Sequence, residues 1–152
     1  MNYKVDFVPR FLAALIDGVI AWVPFVIPIL GPLFGALYLL FKDSLMYKIT
    51  KKDEWKNKSI GKKILNLTVI GVDQEYIGME TSAKRNIPLT IGSFISIIPL
   101  IGWLIGPIVA FILGGIELIL ILTDENGRRL GDRWAKTQVL KIPEDEKNIT
   151  II

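Results

Sequence analysis

The sequence predicts an all-α integral membrane protein in which four transmembrane helices form two hairpins, related by a parallel internal repeat. Small β-segments are expected on the cytoplasmic side. Three observations support this fold class: an apolar composition, two long runs almost without charge, and Pro and Gly clusters that divide each run. Hydrophobic residues make up 51% of the 152 residues before Gly is counted, whereas soluble domains reach about 45–50% with Gly included.

The two apolar runs cover residues 11–41 and 86–123, and each contains a single charged residue, Asp17 and Glu117 respectively. A transmembrane helix needs only about 17–25 apolar residues, so each run is long enough for a hairpin of short helices. The residues that interrupt the middle of the runs are Pro24, Pro28, Gly31 and Pro32 in the first, and Pro99, Gly102, Gly106 and Pro107 in the second.

These runs divide the chain, taken as a single membrane domain of residues 1–152, into four segments. They are hairpin one (about 7–46), a cytoplasmic linker (47–84), hairpin two (85–124) and a cytoplasmic tail (125–152). Ser59 is expected to cap a short helix that ends at Leu65. Short strands are predicted at Asn66–Val72, Glu75–Met79, Gln138–Ile142 and Asn148–Ile152, with a turn at Asp73-Gln74 between the first two.

The basic residues predict the orientation. Both hairpin tips are uncharged, and every Lys and Arg lies at the other ends of the hairpins. The positive-inside rule then predicts a multi-pass protein of the plasma (inner) membrane with both termini cytoplasmic. The pI near 9.1 is explained by anionic lipid headgroups and requires no nucleic acid partner. The residues expected to face these headgroups are Lys62, Lys63, Arg85 and Arg133.

The residue types exclude several classes of chemistry. The chain contains no Cys and no His, so disulfides, thiol chemistry and histidine metal sites are excluded. No nucleophile–base pair and no cofactor motif is visible. The sequence therefore predicts neither an enzyme nor a cofactor or metal site. A soluble helical protein with a large core is the less favoured alternative to a membrane protein.

Two sequence echoes at nearly the same offset indicate an internal duplication. Ile27–Gly35 is similar to Ile98–Gly106 at an offset of 71, and Ile60–Lys63 is similar to Leu130–Arg133 at an offset of 70. Parallel repeats of this kind occur in transporters. Chance similarity between apolar segments is the alternative.

Two acidic residues within the apolar runs carry the main chemical signal. Asp17 shares a helix face with Arg10 and small residues, and Glu117 shares one with Gly114 and other small residues. A charge at the bilayer centre costs at least about 2.5–3.5 kcal/mol, which favours a defined role. Two interpretations stay open: structural ion pairing, in which Asp132 is a candidate partner of Arg10, and the handling of ions or protons.

Three motifs resemble the RDD family of membrane proteins, and the resemblance extends from about Val8 to Leu140. They are Arg10–Asp17, Ser59–Leu65 and Arg129–Val139. The residues that match the Arg and two Asp for which the family is named are Arg10, Asp17 and Asp132. The resemblance implies a polytopic membrane domain. Some members have been linked to sodium–proton exchange, and others occur as domains attached to different modules.

Two functions follow from these observations. The first is a carrier coupled to a proton or monovalent cation, with Asp17 and Glu117 as its carboxylates and with Arg10 and Asp132 setting their protonation. The second is a non-transporting scaffold whose basic cytoplasmic face binds lipid or another protein. Because four short helices enclose little volume, a homo-oligomer, in particular a dimer, is also expected.

Overall fold

The structure, a computed structural model, describes residues 5–27, 30–71 and 76–142. Four long helices and two short ones form most of it, together with one pair of strands. The α-helices are α1 (Phe7–Trp22), α2 (Leu30–Thr50), α3 (Ile60–Ile64), α4 (Met79–Ile95), α5 (Ile101–Thr123) and α6 (Leu130–Trp134). The strands are β1 (Leu67–Gly71) and β2 (Thr137–Lys141), and single 3-10 turns occupy Val23–Val26 and Asp53–Trp55.

The four long helices form two hairpins, α1 with α2 and α4 with α5. The hairpins meet mainly through α2 and α4, and residues of α1 and α5 line a common groove. Glycine allows the close approach inside each hairpin. A Cβ on Gly31 would collide with the carbonyl oxygen of Pro24, and a Cβ on Gly102 would collide with that of Ile95. These glycines therefore allow the two helical segments of each hairpin to approach closely beside the tip.

Among the described residues, two segments are long and apolar enough to cross a membrane, Phe7–Val26 and Ile101–Thr123, with mean hydropathies of 1.5 and 2.5. Only 22% and 11% of their apolar windows are buried inside the protein. The core helix of a soluble protein would be mostly buried, so this exposure favours a membrane protein over the soluble alternative. Lys42 and Asp43 lie within α2 and lower its apolar character.

The two strands pair antiparallel beside α1. Val69 lies opposite Val139 at the centre of the ladder, with Leu67 opposite Lys141 and Gly71 opposite Thr137. The strands predicted at 66–72 and 138–142 are confirmed within the described residues. Inward-facing side chains of β1 and β2, including Leu67 and Val69, form the main apolar core with Ala13 of α1.

Within the stretch expected as a linker, α2 extends to Thr50 and α4 begins at Met79. The strand predicted at Glu75–Met79 is wrong for its described part, residues 76–79. The main-chain N–H of Ile77 donates to the Oδ1 of Asn57 at 2.7 Å, so it is not available to a strand partner. The turn predicted at 73–74 and the strand predicted at 148–152 lie outside the described residues.

Candidate functional site

Nine charged side chains are buried together where the long helices meet α3 and α6. Each is at most 7% exposed, although charged side chains are almost never fully buried unless paired. We refer to them as the buried charge cluster. Its members are Arg10, Asp17, Lys42, Asp43, Lys62, Arg85, Glu117, Arg129 and Asp132.

Asp132 lies at the centre of three guanidinium groups. Its carboxylate accepts from Arg10 at 2.8 Å and from Arg85 at 2.7 Å, and the Nε of Arg129 lies 3.3 Å away. The predicted contact between Arg10 and Asp132 is therefore present. Burial alone would raise the pKa of Asp132, but the three guanidinium groups outweigh it and hold that pKa well below its usual range.

Asp17 lies two turns from Arg10 along α1 and pairs with different groups. Its carboxylate is 3.1 Å from the Nζ of Lys42 and accepts from the Ser59 hydroxyl at 2.7 Å. It also accepts from the Gly61 N–H at 2.8 Å and the Tyr38 hydroxyl at 3.2 Å. Asp17 thus fastens the first turn of α3 to α1, and Ser59 caps α3 as predicted, accepting from the N–H of the third helical residue at 3.3 Å.

Asp43 forms the link between the two hairpins. It lies 2.6 Å from the Nζ of Lys62 and 3.4 Å from the Nε of Arg85, and it accepts from the Asn86 amide at 3.1 Å. Burial lowers the pKa of Lys62 to about 8, and the attraction of Asp43 only partly opposes this effect.

Glu117 is held differently from the other three acids. Its carboxylate accepts from the main-chain N–H groups of Leu130 at 2.8 Å and Gly131 at 3.3 Å. These amides belong to the first turn of α6, where N–H groups lack helical partners. Within the part of the chain that the structure describes, no cationic side chain lies within ion-pair distance of this carboxylate.

Two of the four residues expected to face lipid headgroups lie inside the cluster instead. Lys62 and Arg85 are 7% and 0% exposed, because the carboxylates of Asp43 and Asp132 provide buried partners for them. The other two are closer to the surface. The ammonium of Lys63 lies 2.9 Å from Glu54 and 3.8 Å from the centre of the Trp55 ring. Arg133 pairs with Asp124 at 2.8 Å.

A small cavity of about 50 Å³ lies within the cluster. Its charged lining consists of Arg10, Lys42, Lys62, Arg85 and Arg129, and we call it the cationic cavity. Beside it runs a larger, mostly apolar groove of about 510 Å³, lined by α1, α4 and α5 and containing Glu117. We call this the α1–α5 groove. Arg10, Ala14, Ile121 and Arg129 line both spaces, so the two adjoin each other.

Three charged members of the cluster were not identified from the sequence: Lys42, Asp43 and Arg129. The first two directly follow the first apolar run, near the end of predicted hairpin one, where charged residues are typical of the membrane surface. A prediction that α2 continues beyond the apolar run would have placed both residues on a helix that packs against the rest of the protein. Arg129 directly precedes the Leu130–Arg133 motif and lies three residues before Asp132, and this spacing is the signal for it.

Comparisons with known proteins give a family and no individual relative. The chain matches the family model described as RDD family over residues 4–136. No curated protein and no solved structure matches it. Among the described residues there is no group of three or more acidic, His or Cys side chains that would hold a metal ion.

Proposed function

The chain belongs to the RDD family, and from this premise we propose that it is a multi-pass carrier that exchanges protons for a monovalent cation. Glu117 is the exchanging carboxylate. The observation that carries this proposal is the setting of Glu117: it is 3% exposed, lines the α1–α5 groove, and is held by main-chain amides rather than by a cationic side chain. Arg129 attracts this carboxylate without forming an ion pair with it, so the buried carboxylate can still bind either a proton or a cation.

Asp17 has a structural role in this proposal, whereas the sequence suggests it as a carboxylate of the carrier. Lys42 neutralises it, and Ser59 and Gly61 fill its remaining hydrogen-bonding positions. A cation competing for this carboxylate would have to displace a buried ammonium group and release α3. Asp17 also does not line the cationic cavity or the α1–α5 groove.

Four membrane spans with both termini cytoplasmic belong to the same proposal. The apolar and exposed character of α1 and α5 supports it. Because α2 and α4 are the hairpin partners of α1 and α5 and pack against each other, they would cross the bilayer with Asp43 and Arg85 turned toward each other. The exposed basic side chains then share one side with α3, α6 and the strands.

A duplication of one hairpin–helix–strand unit accounts for several coincidences of geometry. Left-handed backbone conformations recur 70 residues apart, at Asn57 and Gly127 and again at Asn66 and Lys136. The β1–β2 register agrees with this relation. Val69 pairs with Val139, the residue 70 positions later in the second unit, as a two-fold axis between the two units requires. These features support two units related by a pseudo-two-fold axis.

A second candidate function is that of a non-transporting membrane scaffold. The observation that favours it is that Asp17, Asp43 and Asp132 are all paired with basic side chains. Each of these acids joins two or more elements, as a structural lock would. In either function we propose a homodimer, because Gly18 leaves open space beside α1 for a second copy to pack closely. Native mass spectrometry in mild detergent that shows only monomer would contradict the dimer.

Proton release on cation binding tests the carrier directly. Purified protein in weakly buffered detergent is titrated with sodium or potassium chloride while a pH-sensitive dye reports released protons. Wild type is expected to release protons saturably, and Glu117→Gln is expected to release none while keeping its melting temperature. Glu54→Gln, a change at an exposed acid, is the control and should behave as wild type. Equal release from Glu117→Gln and wild type would contradict the role of Glu117.

A further inference from the structure

The cationic cavity has a lining of unusual charge. All five of its charged residues are basic: Arg10, Lys42, Lys62, Arg85 and Arg129. Carboxylates neutralise these groups from other directions, but none of the four acids of the buried charge cluster lines the cavity. With a volume of about 50 Å³, the cavity exceeds the roughly 10–15 Å³ that one water requires. The space is therefore large enough for a compact ligand and attracts negative charge.

Arg85, which lines this cavity, has an unused hydrogen-bond donor. The side chain is 0% exposed, and its Nη2 binds Asp132 at 2.7 Å. Among the described residues, its Nη1 has no hydrogen-bond partner. A buried unsatisfied donor costs about 1–3 kcal/mol, and more for a charged group. An acceptor inside the cavity would remove that cost.

The charge balance of the buried charge cluster also favours an anion in the cavity. Five basic and four acidic side chains are buried together, so one positive charge is left over when all of them are ionised. An uncompensated charge in a buried site is strongly unfavourable. One bound negative charge would balance the cluster.

We propose that the cationic cavity is a binding site for one compact, singly charged anionic group, held by Arg85 and the neighbouring Lys42, Lys62, Arg10 and Arg129. The group has two sources: a small inorganic anion from solution, or the phosphate of an anionic phospholipid whose chains lie in the adjoining α1–α5 groove. The site differs from the one proposed for cation exchange, since Glu117 does not line this cavity. The anion site is tested by Tm and diffraction rather than by proton release, so failure of one proposal is distinguishable from failure of the other.

Thermal melting in detergent tests the site and separates the two sources. The protein is purified into gluconate buffer and titrated, at constant ionic strength, with bromide; a parallel series adds phosphatidylglycerol or zwitterionic phosphatidylcholine. The site predicts a saturable rise in Tm with bromide, with phosphatidylglycerol, or with both, because a ligand of the folded state stabilises it by mass action. No rise with either, beyond the gluconate and phosphatidylcholine controls, would overturn the proposal.

Two variants connect the effect with the cavity and the groove. Lys42→Gln removes the excess positive charge. It should lower the affinity of the cavity for the stabilising anion by roughly tenfold or more. Gly114→Leu fills the α1–α5 groove, where an added Cβ meets nothing within 4 Å, and should abolish the lipid effect but leave that of bromide. Lipid stabilisation that survives Gly114→Leu would exclude the groove as the path of the lipid chains.

Anomalous diffraction gives a readout that does not depend on any variant folding. Wild-type crystals grown in gluconate and soaked in bromide should show an anomalous peak among the five basic side chains if the anion comes from solution. Crystals of protein purified with phosphatidylglycerol should show a phosphate there if it comes from lipid. A cavity that contains only water in both experiments would overturn the anion site.

Discussion

Asp17 and Lys42 form a buried ion pair, and removing one partner should differ from replacing both. Asp17→Asn leaves a buried ammonium without its counter-charge, which costs about 3–5 kcal/mol in soluble proteins. Asp17→Asn combined with Lys42→Met should recover part of that loss, because no charge then remains unpaired. Tm in detergent is the measurement, and Glu54→Gln, which breaks an exposed pair worth about 0–1 kcal/mol, is the control. A double variant no more stable than the single variant would contradict the pairing.

Lys62 should give the protein a measurable pH dependence of stability. Its folded pKa is lowered to about 8 from 10.5, so between these values the unfolded chain binds more protons than the folded one. Stability from this residue therefore rises with pH across that window, by up to about 1.4 kcal/mol per unit. It is lost as pH falls through about 8. The charged groups around Lys62 that set this value are Asp43, Lys42, Arg85 and Asp17.

The variant Lys62→Met isolates this contribution. Denaturant unfolding from pH 7.5 to 10.5 is expected to show a smaller increase, or a steeper loss, of stability with pH in Lys62→Met than in wild type. Identical slopes in the two proteins would mean that the pKa of Lys62 is not lowered on folding.

Two short helices, α3 and α6, depend on glycine for their contact with the long helices. A Cβ at Gly61 would collide with the main-chain carbonyl of Ala13, and one at Gly131 with that of Arg85. Because backbone atoms cannot move aside easily, Gly61→Ala should destabilise the protein by about 1–3 kcal/mol. Gly114→Ala, at a helical position with open space, should be neutral or slightly stabilising. Equal Tm values for the two variants would contradict this packing.

The sequence was sufficient for elements that local chemistry determines. Alternating side chains identify β1 and β2, a serine cap identifies α3, and Pro and Gly divide the apolar runs. The sequence was not sufficient where contacts between distant residues determine the burial of a side chain or the conformation of a segment. The exposure of Lys62 and Arg85 depends on Asp43 and Asp132, which approach them only in the folded chain. The contact of Ile77 with Asn57, 20 residues away, likewise excludes the predicted strand.

The proposed topology makes a prediction for the whole molecule. The hairpin tip at Leu100, which is 77% exposed, should face outward, and the exposed linker residue Lys52 should face the cytoplasm. Since the chain has no native Cys, Leu100→Cys and Lys52→Cys each introduce a unique thiol. In intact cells an impermeant maleimide should label the first and should label the second only after permeabilisation. The reverse pattern would contradict the orientation.

The central claim is that Glu117 couples proton movement to a monovalent cation, and exchange in proteoliposomes tests it most directly. Vesicles with an acidic interior and an internal pH dye receive a pulse of external sodium or potassium. The account predicts that wild-type protein makes the vesicle interior rapidly more alkaline when the cation is added. Glu117→Gln should produce no such change, although its Tm equals that of wild type. Wild-type protein that produces no cation-dependent pH change under either gradient, or Glu117→Gln that exchanges as fast as wild type, would contradict it.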